Sequence, residues 1–126
     1  MSKTKIDRRS IYNKYKGHCA YCGNKIKFHE MQIDHILSKR QYKFMKPAEQ
    51  KKVNLDGYEN LNPSCRRCNY YKGSYSIEGF RRELKLIQGR FMKFFLVKLA
   101  IQYGMIEIKE WNGVFHFEKH KLRRTK

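Results

Sequence analysis

The first half of the chain alternates short apolar runs with polar stretches. Residues Lys5–Lys16 carry a loosely helical pattern that ends at Gly17, and we predict a short basic helix there. Residues Met31–Ile36 alternate apolar and polar side chains, which is typical of a short β-strand. The Lys-rich stretch Ser38–Asp56 has no such period, so we expect an exposed loop with room for one helical turn.

The second half of the chain has the period of helices. Apolar residues recur every three or four positions over Phe80–Phe95, with Arg and Lys between them, which predicts an amphipathic helix with Ser76 as its N-cap. Gly89 is the expected point of division into two helices. Further on, Asn112-Gly113 lies between two alternating runs and predicts a β-hairpin, whose aromatic side chains we expect to pack on the helices.

Charge indicates the class of partner. The chain has 29 Lys and Arg against 11 Asp and Glu, a formal net charge of +18, so we expect a polyanionic partner. Its 126 residues exclude two large domains. The 40% hydrophobic and 14% aromatic content supplies enough apolar surface for a modest core, which argues against disorder.

No segment predicts export or membrane insertion. The basic N-terminus is not followed by an apolar run, and the longest apolar stretch, Phe94–Ile101, contains Lys98 and is far shorter than the roughly 20 residues of a membrane span. We therefore expect a soluble cytoplasmic protein. In a reducing compartment, cysteines bind metal more often than they form disulfides.

The four cysteines form two C-x-x-C pairs, Cys19/Cys22 and Cys65/Cys68. Each such turn presents two thiolates to one side, and two turns complete the tetrahedral shell that Zn²⁺ prefers. Four thiolates leave no open position, so this zinc is expected to be structural and His18 is not needed as a ligand. Two disulfides or reduced core cysteines are the alternatives.

A second set of residues, Asp34-His35, Asn60 and Asn69, offers the parts of a site that cleaves phosphodiesters. Such hydrolysis needs a base for water and a divalent cation for the charge on phosphate. Imidazole titrates near neutral pH, and carboxylate and amide oxygens suit Mg²⁺. A hydrogen-bonded structural role is the alternative for His35. Its place between two metal-ligand pairs in a very basic chain favours catalysis.

The order of these motifs resembles the HNH endonuclease family and its zinc-supported subclass. The resemblance covers about Gly17–Ser74. It rests on the two C-x-x-C pairs, Ile33-Asp34-His35-Ile36, Glu59-Asn60-Leu61-Asn62-Pro63 and Cys68-Asn69-x-x-Lys72-Gly73. It implies a ββα-metal core, in which a hairpin and a helix hold one divalent ion.

With the periodicities above, we expect an α+β fold. A small ββα-metal core with a four-cysteine zinc knuckle is followed by helices and a C-terminal hairpin. We place the nuclease core, its N-terminal helix and the zinc site in residues 1–75, and a helical and hairpin extension in residues 76–126.

The resemblance also implies roles for single residues. His35 is the general base, Asp34 and Asn69 bind a catalytic Mg²⁺ or Mn²⁺ ion, and Asn60 braces the loop and helps to hold His35. Asn69 stands where some relatives have His, and its amide oxygen favours magnesium over softer metals. Many relatives have Pro and Gly-Gly after Asp-His, whereas this chain has Leu37–Tyr42, so we expect a differently built loop.

We expect several basic residues to contact the nucleic-acid backbone. They lie in the Lys-rich loop, between or after the second cysteine pair, and on the polar face of the amphipathic helix. They are Lys39, Arg40, Arg66, Arg67, Lys72, Arg81 and Arg82. A merely solvated charged surface is the alternative for the arginines.

The predicted function is a metal-dependent DNA endonuclease of phage or bacterial type, acting in the cytoplasm of a bacterial or phage-infected cell. Double-stranded DNA is the expected substrate. One active site cuts one strand, so a monomer nicks, and a double-strand break requires a homodimer or two successive events. The alternative is a non-enzymatic zinc module that binds DNA or RNA, which explains the charge and the cysteines but leaves the Asp, His and Asn set as coincidence.

Overall fold

The computed structural model describes residues 6–119 and divides into two compact units. One unit holds residues 6–76 together with residues 115–119, and the other is Ile77–Val114. The sequence predicts a single boundary after residue 75, whereas the chain returns to its first unit. Within residues 6–119, no helix is long and apolar enough to cross a membrane.

The first unit begins with helix α1 (Arg8–Asn13), inside the predicted Lys5–Lys16 segment. The carboxylate of Asp7 caps it by accepting a hydrogen bond from the backbone N–H of Arg9 at 3.1 Å. After the helix, the Lys14 ammonium donates to the carbonyl of Leu61 at 2.7 Å. This long-range bond fastens the N-terminal helix to the segment that carries the second strand.

A two-stranded antiparallel sheet forms the centre of the first unit. Strand β1 (Gln32–His35) confirms the strand predicted from alternation, and it pairs with β2 (Leu61–Ser64). In this register His35 lies opposite Leu61 and Asp34 opposite Asn62. The sheet therefore carries Asp34 and His35 together at the end of its first strand.

The Lys-rich connection between the strands contains two short helices, one more than predicted. Helix α2 (Lys39–Lys43) begins with a capping box between Ser38 and Gln41, and α3 (Pro47–Gln50) begins with a proline in its first turn. Both features favour the start of a helix. A capping box gives hydrogen-bond partners to N–H groups at the helix start, and proline has no backbone N–H that needs a partner. Helix periodicity is undetectable in segments of four or five residues, which is why the sequence predicts a loop here.

Helix α4 (Arg66–Lys72) follows β2 directly and completes a ββα unit. Its N-cap is Cys65, whose sulfur accepts a hydrogen bond from the N–H of Cys68 at 3.4 Å. It ends at Gly73, which has φ of +51° and ψ of −125°, a backbone conformation that is disfavoured for residues other than glycine. The helix packs against β1.

The second unit contains α5 (Ile77–Lys85), α6 (Ile87–Phe91) and α7 (Phe95–Gln102). The predicted break at Gly89 is wrong, because the first helix ends before Leu86 and Gly89 lies inside α6. Gly89 keeps a negative φ and so does not use the freedom that would end a helix.

The predicted C-terminal hairpin is also wrong. Residues 106–115 contain no strand, and residues 116–119 are helical. Asn112-Gly113 does form a turn, in which the Asn112 side chain accepts from the N–H of Val114 at 3.0 Å and Gly113 has φ of +82°. The turn signal is therefore genuine, but no strand pairing follows it.

Burial of aromatic rings replaces the expected hairpin. Phe115 and Phe117 return to the first unit, where their ring centroids lie 5.4 and 5.9 Å from that of Tyr21 in edge-on contact. The N–H of Phe117 donates to the carbonyl of Ala20 at 2.8 Å. Long-range packing against the first cysteine pair thus overrides the local alternation that favours a hairpin.

We expect Phe115→Ala to lower the free energy of unfolding by about 3 kcal/mol, because Phe115 is 1% exposed and truncation leaves a cavity against Tyr21. Denaturant unfolding of the zinc-loaded protein measures this change. Tyr103→Ala is the matched control, since Tyr103 is 70% exposed and should shift stability by less than about 0.5 kcal/mol. Equal effects of the two substitutions would contradict the packing described above.

Candidate active site and metal centre

The four cysteines converge, as the sequence predicts. The sulfur atoms of Cys19, Cys22, Cys65 and Cys68 all lie within 4.8 Å of one another, and all four thiols are free. The Cys22 and Cys65 sulfurs are 3.9 Å apart. Four sulfurs placed about 2.3 Å from one tetrahedral zinc ion are separated by about 3.8 Å. The cluster therefore fits a single Zn²⁺ ion better than two separate disulfides.

Local backbone geometry aims these sulfurs. At three of the four cysteines, the backbone N–H two or three positions later donates to the sulfur at 3.4 Å, which stabilises a thiolate. The N–H of Ala20, inside the first cysteine pair, donates to the carbonyl of Pro63 at 2.8 Å. This bond attaches the first pair to β2, two residues before the second pair begins at Cys65.

Hydrogen bonding among the thiols shifts their pKa values in opposite directions. Hydrogen bonding from Cys22 holds the pKa of Cys19 far below its ordinary value. Hydrogen bonding with Cys19 raises the pKa of Cys22 to about 11 and that of Cys68 well above its ordinary range. An ionised Cys19 therefore favours the protonated forms of Cys22 and Cys68. A bound Zn²⁺ ion would allow all four thiols to ionise together.

A buried ion pair lies at the end of β1. Asp34 is 4% exposed, and the Lys72 ammonium contacts its Oδ1 and Oδ2 atoms at 3.3 and 3.2 Å. The hydroxyl of Tyr21 also donates to Oδ2. Burial raises the pKa of the Asp34 carboxyl, and the Lys72 charge and the Tyr21 hydrogen bond oppose this rise. The carboxylate is thus held between two donors from distant parts of the chain.

Lys72, which the sequence predicts to meet a phosphate near the metal, lies in the interior of the first unit. Its side chain is completely buried, and its ammonium also donates to the His35 carbonyl at 3.1 Å. Motif spacing places Lys72 on the same helix face as Asn69 but does not show which way that face points. The face points inward against β1. Without the Lys72 ammonium the buried Asp34 carboxylate would have no cationic partner, and the free energy of unfolding would fall by several kcal/mol.

His35 has a carboxylate partner that sequence reasoning missed. Its Nε2 atom lies 2.7 Å from Oδ1 of Asp56, and its side chain is 15% exposed. An ionised carboxylate only accepts hydrogen bonds, so Nε2 carries the proton and Nδ1 is the acceptor nitrogen. Asp56 belongs to the Lys-rich connection and has no motif of its own, so only the folded structure reveals it.

Asn60 fastens the two segments that hold this pair. Its Oδ1 atom accepts from the N–H of Leu37 at 2.8 Å, and its Nδ2 atom donates to the carbonyls of Leu37 at 3.1 Å and Leu55 at 2.8 Å. Leu37 follows His35 by two residues, and Leu55 precedes Asp56. Asn60 therefore braces the loop, as the resemblance implies, but acts on the backbone around His35 rather than on its ring.

Asn69 lies on α4 one turn before Lys72. Residues three apart share a helix face, so Asn69 belongs to the face that meets β1. Its side chain is half-buried, and within residues 6–119 it makes no hydrogen bond. Its amide oxygen therefore has no hydrogen-bond donor among these residues.

The other predicted nucleic-acid contacts divide between surface and interior. Arg81 is engaged within the second unit: its guanidinium, 15% exposed, pairs with both carboxylate oxygens of Glu78 at 3.0 and 3.1 Å and donates to the Gly113 carbonyl. It stabilises the second unit instead. The remaining residues are exposed and keep their predicted role as a hypothesis: Lys39, Arg40, Arg66, Arg67 and Arg82.

Comparison with known proteins identifies one family. Residues 19–74 match the model of the HNH endonuclease family. No curated protein and no solved structure matches the chain. The matched segment starts at Cys19 and includes both cysteine pairs and every residue of the Asp34 and His35 environment except the aromatic rings from the C-terminal segment. The predicted resemblance is thereby confirmed for this part of the chain.

Proposed function

We propose that this protein, whose residues 19–74 are an HNH endonuclease domain, hydrolyses DNA phosphodiesters with one divalent metal ion. The observation that carries the proposal is the arrangement at the end of β1, where His35 is hydrogen-bonded to Asp56 next to the paired carboxylate of Asp34. A non-enzymatic zinc module has a use for the cysteine cluster but none for an oriented, partly exposed imidazole beside a second polar centre.

The Asp34 carboxylate and the Asn69 amide oxygen are the groups that would hold a catalytic Mg²⁺ or Mn²⁺ ion. Both are hard oxygen donors, and Mg²⁺ keeps several waters and needs few protein ligands. When bound, the ion stabilises negative charge on the phosphate and on the departing oxygen. The Lys72 charge lowers the pKa of Asp34 against the effect of burial and so favours the ionised carboxylate, which a divalent ion would share with the ammonium.

His35 acts as the general base in this proposal. Asp56 holds the proton on Nε2, so Nδ1 is free of a proton and accepts one from water. The water oxygen forms a bond to phosphorus as the bond from phosphorus to the 3′ oxygen breaks. The products carry 5′-phosphate and 3′-hydroxyl ends. A protein with one such site nicks one strand of DNA.

A plasmid assay tests the reaction class. Purified zinc-loaded protein should convert supercoiled plasmid to open circles in Mg²⁺ or Mn²⁺, and should not do so when the divalent ion is left out. Open circles should precede linear DNA if a monomer acts. Binding of plasmid without nicking in either ion would favour the non-enzymatic zinc module.

Asp56 is a positioning residue that acts through His35. We expect Asp56→Ala to lower kcat about 10- to 100-fold without weakening DNA binding, because the imidazole loses its fixed orientation and tautomer. Nicking rates measure the loss, and nitrogen NMR of His35 should show the Nε2–H form losing its dominance. Asp56→Asn keeps a carbonyl acceptor and should recover part of the rate.

Glu59→Gln is the matched control for Asp56, since Glu59 is an exposed acidic residue of the same connection. It should leave both kcat and the His35 tautomer unchanged. An Asp56→Ala protein with an unaltered tautomer, or one that loses rate only through KM, would contradict the positioning role.

A further inference from the structure

An open groove of about 730 Å³ lies beside the ββα unit, between α2 and the C-terminal end of α4. Four aromatic side chains line it together with two cations. The six residues are Phe44, Tyr70, Tyr71, Tyr75, Arg40 and Lys72. Its lining combines flat apolar faces with the positive charge of Arg40, since the Lys72 ammonium is buried against Asp34.

Two of these rings are unusually exposed for large side chains of a folded unit. Tyr70 is 86% exposed and Phe44 is 75% exposed. The Arg40 guanidinium lies 5.9 Å from the centre of the Phe44 ring, so charge and ring are presented together. Contiguous exposed aromatic surface marks binding sites, and a nearby cation selects an anionic ligand.

The groove shares one residue with the proposed catalytic centre. Lys72 lines the groove and also contacts the Asp34 carboxylate at 3.2 Å. Tyr70 immediately follows Asn69 on α4. The groove and the proposed catalytic centre therefore draw on neighbouring residues of one helix.

We propose that this groove binds an unstacked nucleobase of the strand being cut, next to the scissile phosphate. This inference rests on the proposed function and names its preferred substrate as DNA with unpaired nucleotides at the cleavage point. In a continuous duplex the base faces cover one another, so an aromatic ring has no face to stack on. In a single strand or a flap, each base offers a free face, and exposed rings beside an arginine suit it.

Equilibrium binding separates this inference from the nuclease reaction. Fluorescence anisotropy on a His35→Ala background measures binding to one labelled sequence as a single strand, a flap and a full duplex. Tyr70→Ala and Phe44→Ala should each weaken binding of the first two about 5- to 150-fold, the usual effect of removing one stacking ring. Binding of the duplex should change less than about twofold.

Two further variants serve as controls for the binding measurement. Tyr70→Phe retains the ring and should bind like the parent protein, whereas Tyr103→Ala removes another exposed tyrosine, 70% exposed, from outside the groove and should have no effect. Equal loss on duplex and single strand, or no loss on either, overturns the inference. If single-stranded RNA binds more than tenfold tighter than single-stranded DNA, the groove prefers an RNA base and the assignment to DNA is overturned. Absence of plasmid nicking overturns the proposed function alone, because these affinities are measured without cleavage.

Discussion

His35→Ala should lower the rate of plasmid nicking about 10²- to 10⁴-fold, the usual contribution of a general base. The imidazole is the group at the end of β1 that can take a proton from water near neutral pH, and the substitution removes it while leaving the Asp34 pair in place. Single-turnover nicking rates in saturating Mg²⁺ measure the effect. Zinc content and DNA affinity should equal those of the parent protein.

His29→Ala is the matched control, because its side chain is 75% exposed and lies in the short 3-10 turn before β1. It should nick at the parent rate. Residual activity of His35→Ala within about twofold of the parent would remove His35 from the mechanism. A His35→Ala protein that has also lost zinc would show instead that the substitution acts on the fold.

Cys65→Ser should release the bound zinc and lower the free energy of unfolding by about 5 kcal/mol. Structural zinc sites contribute about 10 to 16 kcal/mol of binding energy to folding, and losing one of four ligands forfeits a large part of it. Serine is a good N-cap, so the start of α4 keeps its capping oxygen and the metal is isolated as the cause. Zinc release and denaturant unfolding measure the two effects.

His18→Gln is the control for this site. His18 adjoins Cys19, but its Nδ1 atom pairs with the Gly23 carbonyl at 2.9 Å rather than with the sulfur cluster. This variant should keep one zinc per chain. A zinc-free Cys65→Ser protein that unfolds with the parent would contradict the role of the cluster as a link between residue 19 and the start of α4.

Features with a local signature could be predicted from the sequence. Strand β1 follows from alternation, the cysteine cluster from two C-x-x-C turns, and the sequence of strand and helix after Asn60 from motif order. The strand and each C-x-x-C turn depend on residues a few positions apart, whereas the meeting of the two turns and the order of strand and helix follow from metal chemistry and from the family resemblance.

Features that depend on distant partners could not be predicted in this way. Asp56 meets His35 across 21 positions and Tyr21 meets Asp34 across 13, and no periodicity links either pair. Motif spacing also places Lys72 on one face of α4, but only the folded structure shows that this residue is buried. For Phe115, alternation with its neighbours favours a strand, while burial against Tyr21 has the larger effect.

The return of the chain to its first unit at Phe115 has a consequence for synthesis on the ribosome. Phe115 and Phe117 pack on Tyr21, and Tyr21 in turn holds Asp34. A nascent chain that ends before Phe115 contains every residue of the proposed active site but lacks the aromatic rings that pack on Tyr21. Assembly of the nuclease unit is therefore coupled to translation of the whole intervening segment Ile77–Val114.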